Sequence, residues 1–255
     1  MTIGETYQTF ESKVTNPPLE LVGEEGSFCP NPVTVRFARC LDIHFNDTVF
    51  DIGTGIGPLA IYAALNTSGR VYGVDPVEMH VRCARMNVER YGLEDRVSVY
   101  KGKYFEPFEQ EEELKDVRAD VVIGDVSGIA TPVSYALNWY STKVPTGGDD
   151  GTEVICEFLK RASRGPVKPD VRVYFPVAVD LSDKDKILDA VSKNFNKVEN
   201  AWKKEYIEFP LSEPEVQAIH DVYEGRVPRF INVQKSRKGS FWRGQILMAT
   251  YPKFR

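Results

Sequence analysis

A short apolar run, Val49-Phe50-Asp51-Ile52, passes directly into Gly53-Thr54-Gly55-Ile56-Gly57 and then into Pro58-Leu59-Ala60-Ile61. A buried strand, a glycine turn and a helix in immediate succession constrain this chain more than any other feature. Glycines let the backbone approach a ligand without a Cβ clash, and a helix start presents unpaired N–H groups. Twenty-four residues past Asp51, a second apolar strand, Val71-Tyr72-Gly73-Val74, ends on Asp75. A carboxylate there can accept both ribose hydroxyls of an adenosine-type cofactor. A glycine turn that merely joins strand to helix needs no such acid, so the combination points to a cofactor site. The dinucleotide fingerprint G-x-G-x-x-G requires glycine where Pro58 stands. Proline also stiffens the helix start that a pyrophosphate would use. The spacing therefore predicts a cofactor without phosphates.

Strand and helix patterns alternate after this motif. Strands are predicted over Val49–Ile52, Val71–Val74, Val97–Tyr100, Ala119–Ile123 and Val171–Val179, and helices over 33–41, 58–65, 76–91, 152–162 and 184–195. In the helix at 76–91, Asp75 is expected as the cap and Pro76 as the first helical residue. Such alternation predicts an α/β Rossmann-like, mostly parallel sheet with helices on both faces. Later the pattern changes to a strand over 198–209, a helix over 213–224, and strands over 230–233 and 244–251 around the basic turn Lys235–Gly239. These are read as late antiparallel strands closing the sheet. The expected organisation is an N-terminal substrate-side or lid segment (1–49), a cofactor-binding core (50–200), and C-terminal strands, helix and basic hairpin (201–255) completing the same domain.

With 255 residues the chain can bury a core without disulfide or metal staples. It holds no apolar run of membrane-spanning length, and Met1–Glu11 lacks the apolar stretch of a signal peptide. Cys29, Cys40, Cys83 and Cys156 are scattered and His residues number three, so no metal site is expected; the thiols fit a reducing cytoplasm. The net charge of −5 argues against indiscriminate nucleic-acid binding. It conceals an asymmetry, because Gly225–Arg255 carries eight basic residues and no acid, which leaves residues 1–224 at −13.

Residues 49–123 resemble the class I S-adenosylmethionine-dependent methyltransferases. The resemblance implies that Asp51, Gly53, Thr54, Gly55 and Gly57 hold the methionine part of S-adenosyl-L-methionine, that Asp75 binds the ribose, and that Pro76 with Val77 packs on the adenine. Lys103, beside Tyr104, stands where an acid commonly meets the adenine amino group. The fourth strand of such enzymes ends at the reacting centre, which assigns Asp125 to both the cofactor and the catalytic set and makes Ser127 its candidate assistant. Amino-directed members carry Asn/Asp-Pro-Pro-Tyr there; this chain has Asp125-Val126-Ser127-Gly128. Without the prolines and the aromatic ring, a flat nucleobase acceptor is disfavoured. Phe28–Thr34 and Gly147–Ile155 resemble the release-factor glutamine methyltransferase group, and the acceptor is taken to have changed.

The expected activity is methyl transfer to an amine or amide nitrogen of a small molecule or protein side chain, in the cytoplasm. The rivals are a methyltransferase that meets RNA through the basic C-terminal segment, a nicotinamide-dependent oxidoreductase, and a non-catalytic cofactor-binding module. Phe28, Cys29 and Asn31 are candidates to lid the pocket. Tyr135, Asn138, Trp139 and Tyr140 are read mainly as loop packing. His80 and Arg82 are expected at the surface, and Arg237, Lys238 and Arg243 on a solvated basic hairpin.

Overall fold

The computed structural model describes residues 7–28, 30–140 and 144–253. The chain forms two compact units, residues 1–125 with 165–173, and residues 126–164 with 174–255.

The first unit opens with an antiparallel hairpin, β1 (Tyr7–Ser12) and β2 (Leu19–Glu24), followed by α1 (Pro32–Ala38). Next come β3 (Val49–Ile52), α2 (Pro58–Asn66), β4 (Val71–Asp75), α3 (Glu78–Arg90), β5 (Val97–Lys101), α4 (Glu106–Gln110) and β6 (Ala119–Ile123). The first residues of β7 (Val167–Val177) also belong here. β3 pairs in parallel with β4 on one side and β6 on the other, and β4 pairs in parallel with β5. All four residues of β3 and all five of β4 are buried, as strands covered on both faces must be. Phe50 stacks on Phe108 with ring centroids 3.9 Å apart, and Tyr72 meets Phe50 edge-on at 5.6 Å. Because the chain runs outward from β3 first to β4 and β5 and then to β6, the carboxyl end of β3 lies at a topological switch point. Open α/β sheets bind ligands in the crevice at that point.

The predicted strands at 49–52, 71–74, 97–100 and 119–123 are all present. The hairpin was not foreseen, because β1 exposes most of its residues and lacks a clean apolar alternation. It docks on α3 through Asn87, whose side chain exchanges hydrogen bonds with the backbone of Val22 at 2.7 and 2.9 Å, and through Arg82–Glu24 and Arg90–Glu20 pairs. α3 starts two residues later than expected. Asp75 accepts from the Val77 N–H at 2.9 Å, so Pro76 lies in the approach to the helix and Val77 is its cap residue.

The second unit holds α5 (Thr131–Ala136), α6 (Glu153–Ala162), the end of β7, α7 (Lys184–Asn194), β8 (Phe195–Asn200), β9 (Ile207–Leu211), α8 (Glu213–Val222), β10 (Gln234–Ser236) and β11 (Gly239–Pro252). β8, β9 and β10 each pair antiparallel with β11, giving the late antiparallel strands that the sequence pattern predicts. The single strand expected over 198–209 is two, β8 and β9, interrupted by the charged Lys203-Lys204-Glu205. The strand expected at 230–233 is reduced to one bridge, Leu181 to Ile231, and the hairpin pairing begins at Gln234. Arg237 and Lys238 form its exposed turn. Asp180, fully buried, ties this region together. It accepts from the Arg243 guanidinium at 2.8 and 2.9 Å, from the Arg243 N–H at 2.8 Å and from Gln234 at 3.2 Å.

Candidate active site

The glycine turn is folded back over the end of β4. The N–H groups of Gly53 and Thr54 donate to the Val74 carbonyl at 2.8 and 3.0 Å, and the Gly55 N–H donates to Asp75 Oδ2 at 2.9 Å. Three glycines of the turn have positive φ: Gly53 (77°), Gly55 (55°) and Gly57 (91°), a region that L-residues avoid. A Cβ built on Gly55 would meet no protein atom within 4 Å. That open side is where a ligand can approach the backbone. Gly73 serves a different purpose, since a Cβ there would press on the Thr54 side chain at 3.1–3.3 Å. Its absence lets the Thr54 hydroxyl donate to Asp51 Oδ2 at 2.7 Å.

A cleft at this switch point is lined by Asp51, Gly53, Thr54, Gly55 and Asp125 among others. Five residues of the expected set therefore come together. Pro30 and Thr34 also line the cleft, with Ile56, Pro58 and Leu59; Pro30 and Thr34 fall in the stretch Phe28–Thr34 that resembles the release-factor group, but the sequence gives neither a role of its own. Phe28, expected as a lid, does line the cleft. Asn31 does not, being the cap of α1, where its Oδ1 accepts from the Val33 and Thr34 N–H groups. Cys29 lies outside the described residues.

The two carboxyl groups in the cleft have unusual proton affinity. Burial pushes Asp51 up to about 7; the charges of Asp125 and Asp75 act in the same direction, while the Thr54 and Ala60 hydrogen bonds oppose them. Burial likewise pushes Asp125 up to about 6, against the hydrogen bond donated by Thr34 Oγ1 at 2.8 Å. Near neutral pH these groups share a partial negative charge in a poorly solvated space, an environment that favours a cationic ligand.

The remaining expected residues surround the cleft or stand apart from it. Gly57 is the cap residue of α2, facing Ala84. Asp75 is buried, with its oxygens accepting from Gly55, Val77 and His80. Pro76 is half-buried at the end of β4. Lys103 is exposed, and its backbone N–H donates to Glu106 Oε2 at 2.8 Å, which shapes the entry to α4. Tyr104 is half-buried with φ of 55°. Ser127, in the second unit, has a buried hydroxyl without a hydrogen-bond partner among the described residues. Trp139 packs against Trp242 at 6.0 Å, as loop packing predicts, whereas Tyr135 is exposed.

His80 is the clearest correction. It is 2 % exposed rather than superficial. Its Nδ1 lies 3.1 Å from Asp75 Oδ1, and its Nε2 accepts from the Phe28 N–H at 3.2 Å. The helical pattern of α3 gave no hint, because the partner that draws His80 inward is 52 residues away. The Arg82 side chain is partly exposed and pairs with Glu24 at 2.8 Å.

Residues 39–149 match the family model described as ribosomal protein L11 methyltransferase (PrmA). A ribosomal protein L11 methyltransferase of Desulforamulus reducens is 37 % identical over 101 residues, which is 38 % of this chain and 30 % of that protein. A probable cobalt-precorrin-6B C(15)-methyltransferase (decarboxylating) of Saccharolobus solfataricus is 38 % identical over 65 residues, 25 % of this chain and 33 % of that one. The chain thus spans about a third of the length of these curated relatives. Among solved structures, a Thermus thermophilus 16S rRNA N2 G1207 methyltransferase, in complex with AdoMet and guanosine, superposes with a TM-score of 0.61 at 12 % identity, over 98 % of this chain and 52 % of that one. A ribosomal protein L11 methylase of Lactobacillus delbrueckii subsp. bulgaricus gives 0.52 at 14 % identity, over 88 % and 81 %. The fold is therefore the α/β Rossmann-like fold that these methyltransferases share.

Proposed function

We propose that this protein is an S-adenosylmethionine-dependent methyltransferase whose acceptor atom is an amine or amide nitrogen of a protein side chain or small molecule. One observation carries the reading. The open side of Gly55 and the carboxyls of Asp51 and Asp125 line one cleft at the switch point of the parallel sheet, inside the segment that matches a methyltransferase family model. The named activities of the relatives support the reaction class, since the L11 and precorrin enzymes are both methyltransferases.

The cleft residues suit the methionine part of the group. S-adenosylmethionine supplies a methyl group on a cationic sulfur. Asp51 and Asp125 offer negative charge in a poorly solvated cleft, which favours the sulfonium and the ammonium of the methionine part. Gly53 and Gly55 leave room along the backbone, Asp75 is assigned the ribose, and Pro76 with Val77, Lys103 and Tyr104 the adenine end. Methyl transfer is an in-line displacement, so the chain's main task is to hold the acceptor at about 3–3.5 Å and collinear. Asp125, held by Thr34, orients the acceptor N–H and takes its proton; its raised proton affinity makes it a better acceptor than an exposed aspartate. Asp125-Val126-Ser127-Gly128 lacks a stacking ring, which supports an acceptor other than a flat base.

The test is incubation with methyl-labelled S-adenosylmethionine and fractionated extract. Label in a protein or an amine-bearing small molecule, lost in Asp125→Asn, is expected. Label confined to RNA, or no label together with no binding of S-adenosylhomocysteine, contradicts the proposal.

A further inference from the structure

Asp75 holds both of its carboxyl oxygens by donors from three directions. Oδ2 accepts from Gly55, and Oδ1 accepts from Val77 and lies within hydrogen-bond distance of His80 Nδ1. The ring of His80 has a defined tautomer, because a backbone N–H can only donate. The Phe28 N–H points at Nε2, so Nε2 is unprotonated, Nδ1 carries the hydrogen, and the neutral imidazole donates to Asp75. One buried ring therefore joins the carboxylate under the glycine turn to Phe28, a residue of the cleft wall.

We propose that His80 is a positioning residue for cofactor binding: by donating through Nδ1 to Asp75 and accepting through Nε2 from Phe28, it fixes the ribose-binding carboxylate and the wall residue Phe28 in one arrangement. The proposal rests on the assignment of Asp75 to the ribose. Without the ring, Asp75 Oδ1 loses one of two donors and the Phe28 N–H loses its acceptor. Binding must then order both groups at the expense of affinity. The bridge needs one donor and one acceptor about an imidazole apart. Glutamine supplies both; methionine, of equal length, supplies neither.

Three measurements test this in the whole protein. In the wild type, imidazole ¹⁵N shifts should show His80 protonated at Nδ1 only; with three histidines in the chain the assignment is direct. Exchange of the Phe28 amide proton in ligand-free protein should be slow, about tenfold or more faster in His80→Met, and restored to within about threefold in His80→Gln. Dissociation constants for S-adenosylhomocysteine and for adenosine should rise together by about tenfold in His80→Met and return in His80→Gln. An Nε2–H tautomer overturns the proposal even where a variant fails to fold. So does a glutamine variant as defective as the methionine one, or a methionine variant that binds and exchanges like the wild type. If the wild type binds neither ligand while the tautomer and the Phe28 protection are as described, the cofactor reading itself falls and the bridge is structural only.

Discussion

Asp51 and Asp125 show how residue-scale chemistry follows from position. Both stand at strand ends where burial removes water, and both bind protons more tightly than free aspartate. A cationic ligand prefers their ionised forms. Below about pH 7 Asp51, and below about pH 6 Asp125 as well, must lose a proton before S-adenosylmethionine binds, so affinity should fall with pH by up to about tenfold per pH unit for each group and level off above about pH 8. S-adenosylhomocysteine, lacking the sulfonium charge, should show a shallower profile; calorimetric titration across pH compares the two. For stability the sign is opposite to that of a salt-bridged acid. Asp51 binds its proton more tightly when folded, so its contribution is favourable at low pH and is lost as pH rises from about 4 to about 7. Asp51→Asn should raise stability at pH 8, by on the order of 2 kcal/mol after weakening of the hydrogen bond that Thr54 donates to the charged carboxylate, as read by denaturant unfolding. Asp125→Asn should slow methyl transfer by about 10²-fold and also weaken binding of S-adenosylhomocysteine, whose ammonium the carboxylate helps to hold; single-turnover rates at saturating cofactor isolate the transfer step.

At the scale of elements, the parallel strands were legible and their attachments were not. β3, β4 and β6 are short apolar runs that end on Gly53, Asp75 and, two residues past Ile123, Asp125. Burial on both faces leaves that signature in the sequence, and the candidate cofactor residues inherit it because the sheet's carboxyl edge gathers them. Thr34 and His80 had no such signal. Thr34 meets Asp125 across 91 residues, and His80 meets Phe28 across 52. Both contacts exist only once the chain has folded. The hairpin β1–β2 was hidden for a related reason, since beside the buried Leu19 and Leu21 of β2 its ties run to Asn87 on α3, 65 residues from Val22. Asn87 is fully buried and serves the Val22 N–H, the Val22 carbonyl and the Ile56 carbonyl. Asn87→Ala leaves all three without their partner and should cost about 2–4 kcal/mol, measurable as a lower denaturation midpoint. Gly55→Ala should behave oppositely: a loss on the order of 1 kcal/mol from its positive φ, with a much larger loss of cofactor affinity because the new methyl occupies the ligand's side of the turn.

At the scale of the whole molecule, the residues assigned to the cofactor lie in one compact unit and the basic turn in the other. The first unit contains Asp51, Gly53, Thr54, Gly55, Gly57, Asp75, Pro76, Lys103, Tyr104 and Asp125. The second contains Ser127, the Trp139–Trp242 contact and the basic turn of Arg237 and Lys238. Substitution of both turn residues by alanine should leave both S-adenosylhomocysteine affinity and turnover of the acceptor unchanged, as a solvated turn predicts. Parallel binding and transfer assays measure the two. No helix among the described residues is long and apolar enough to cross a membrane.

The proposed function rests first on what the switch-point cleft binds. Calorimetric titration of the wild type with S-adenosylhomocysteine and, in parallel, with NAD and NADP tests it most directly. Saturable binding of S-adenosylhomocysteine that is weakened by Asp75→Ala and by Gly55→Ala, with no response to either dinucleotide, is predicted. Tight dinucleotide binding without any response to S-adenosylhomocysteine would contradict it.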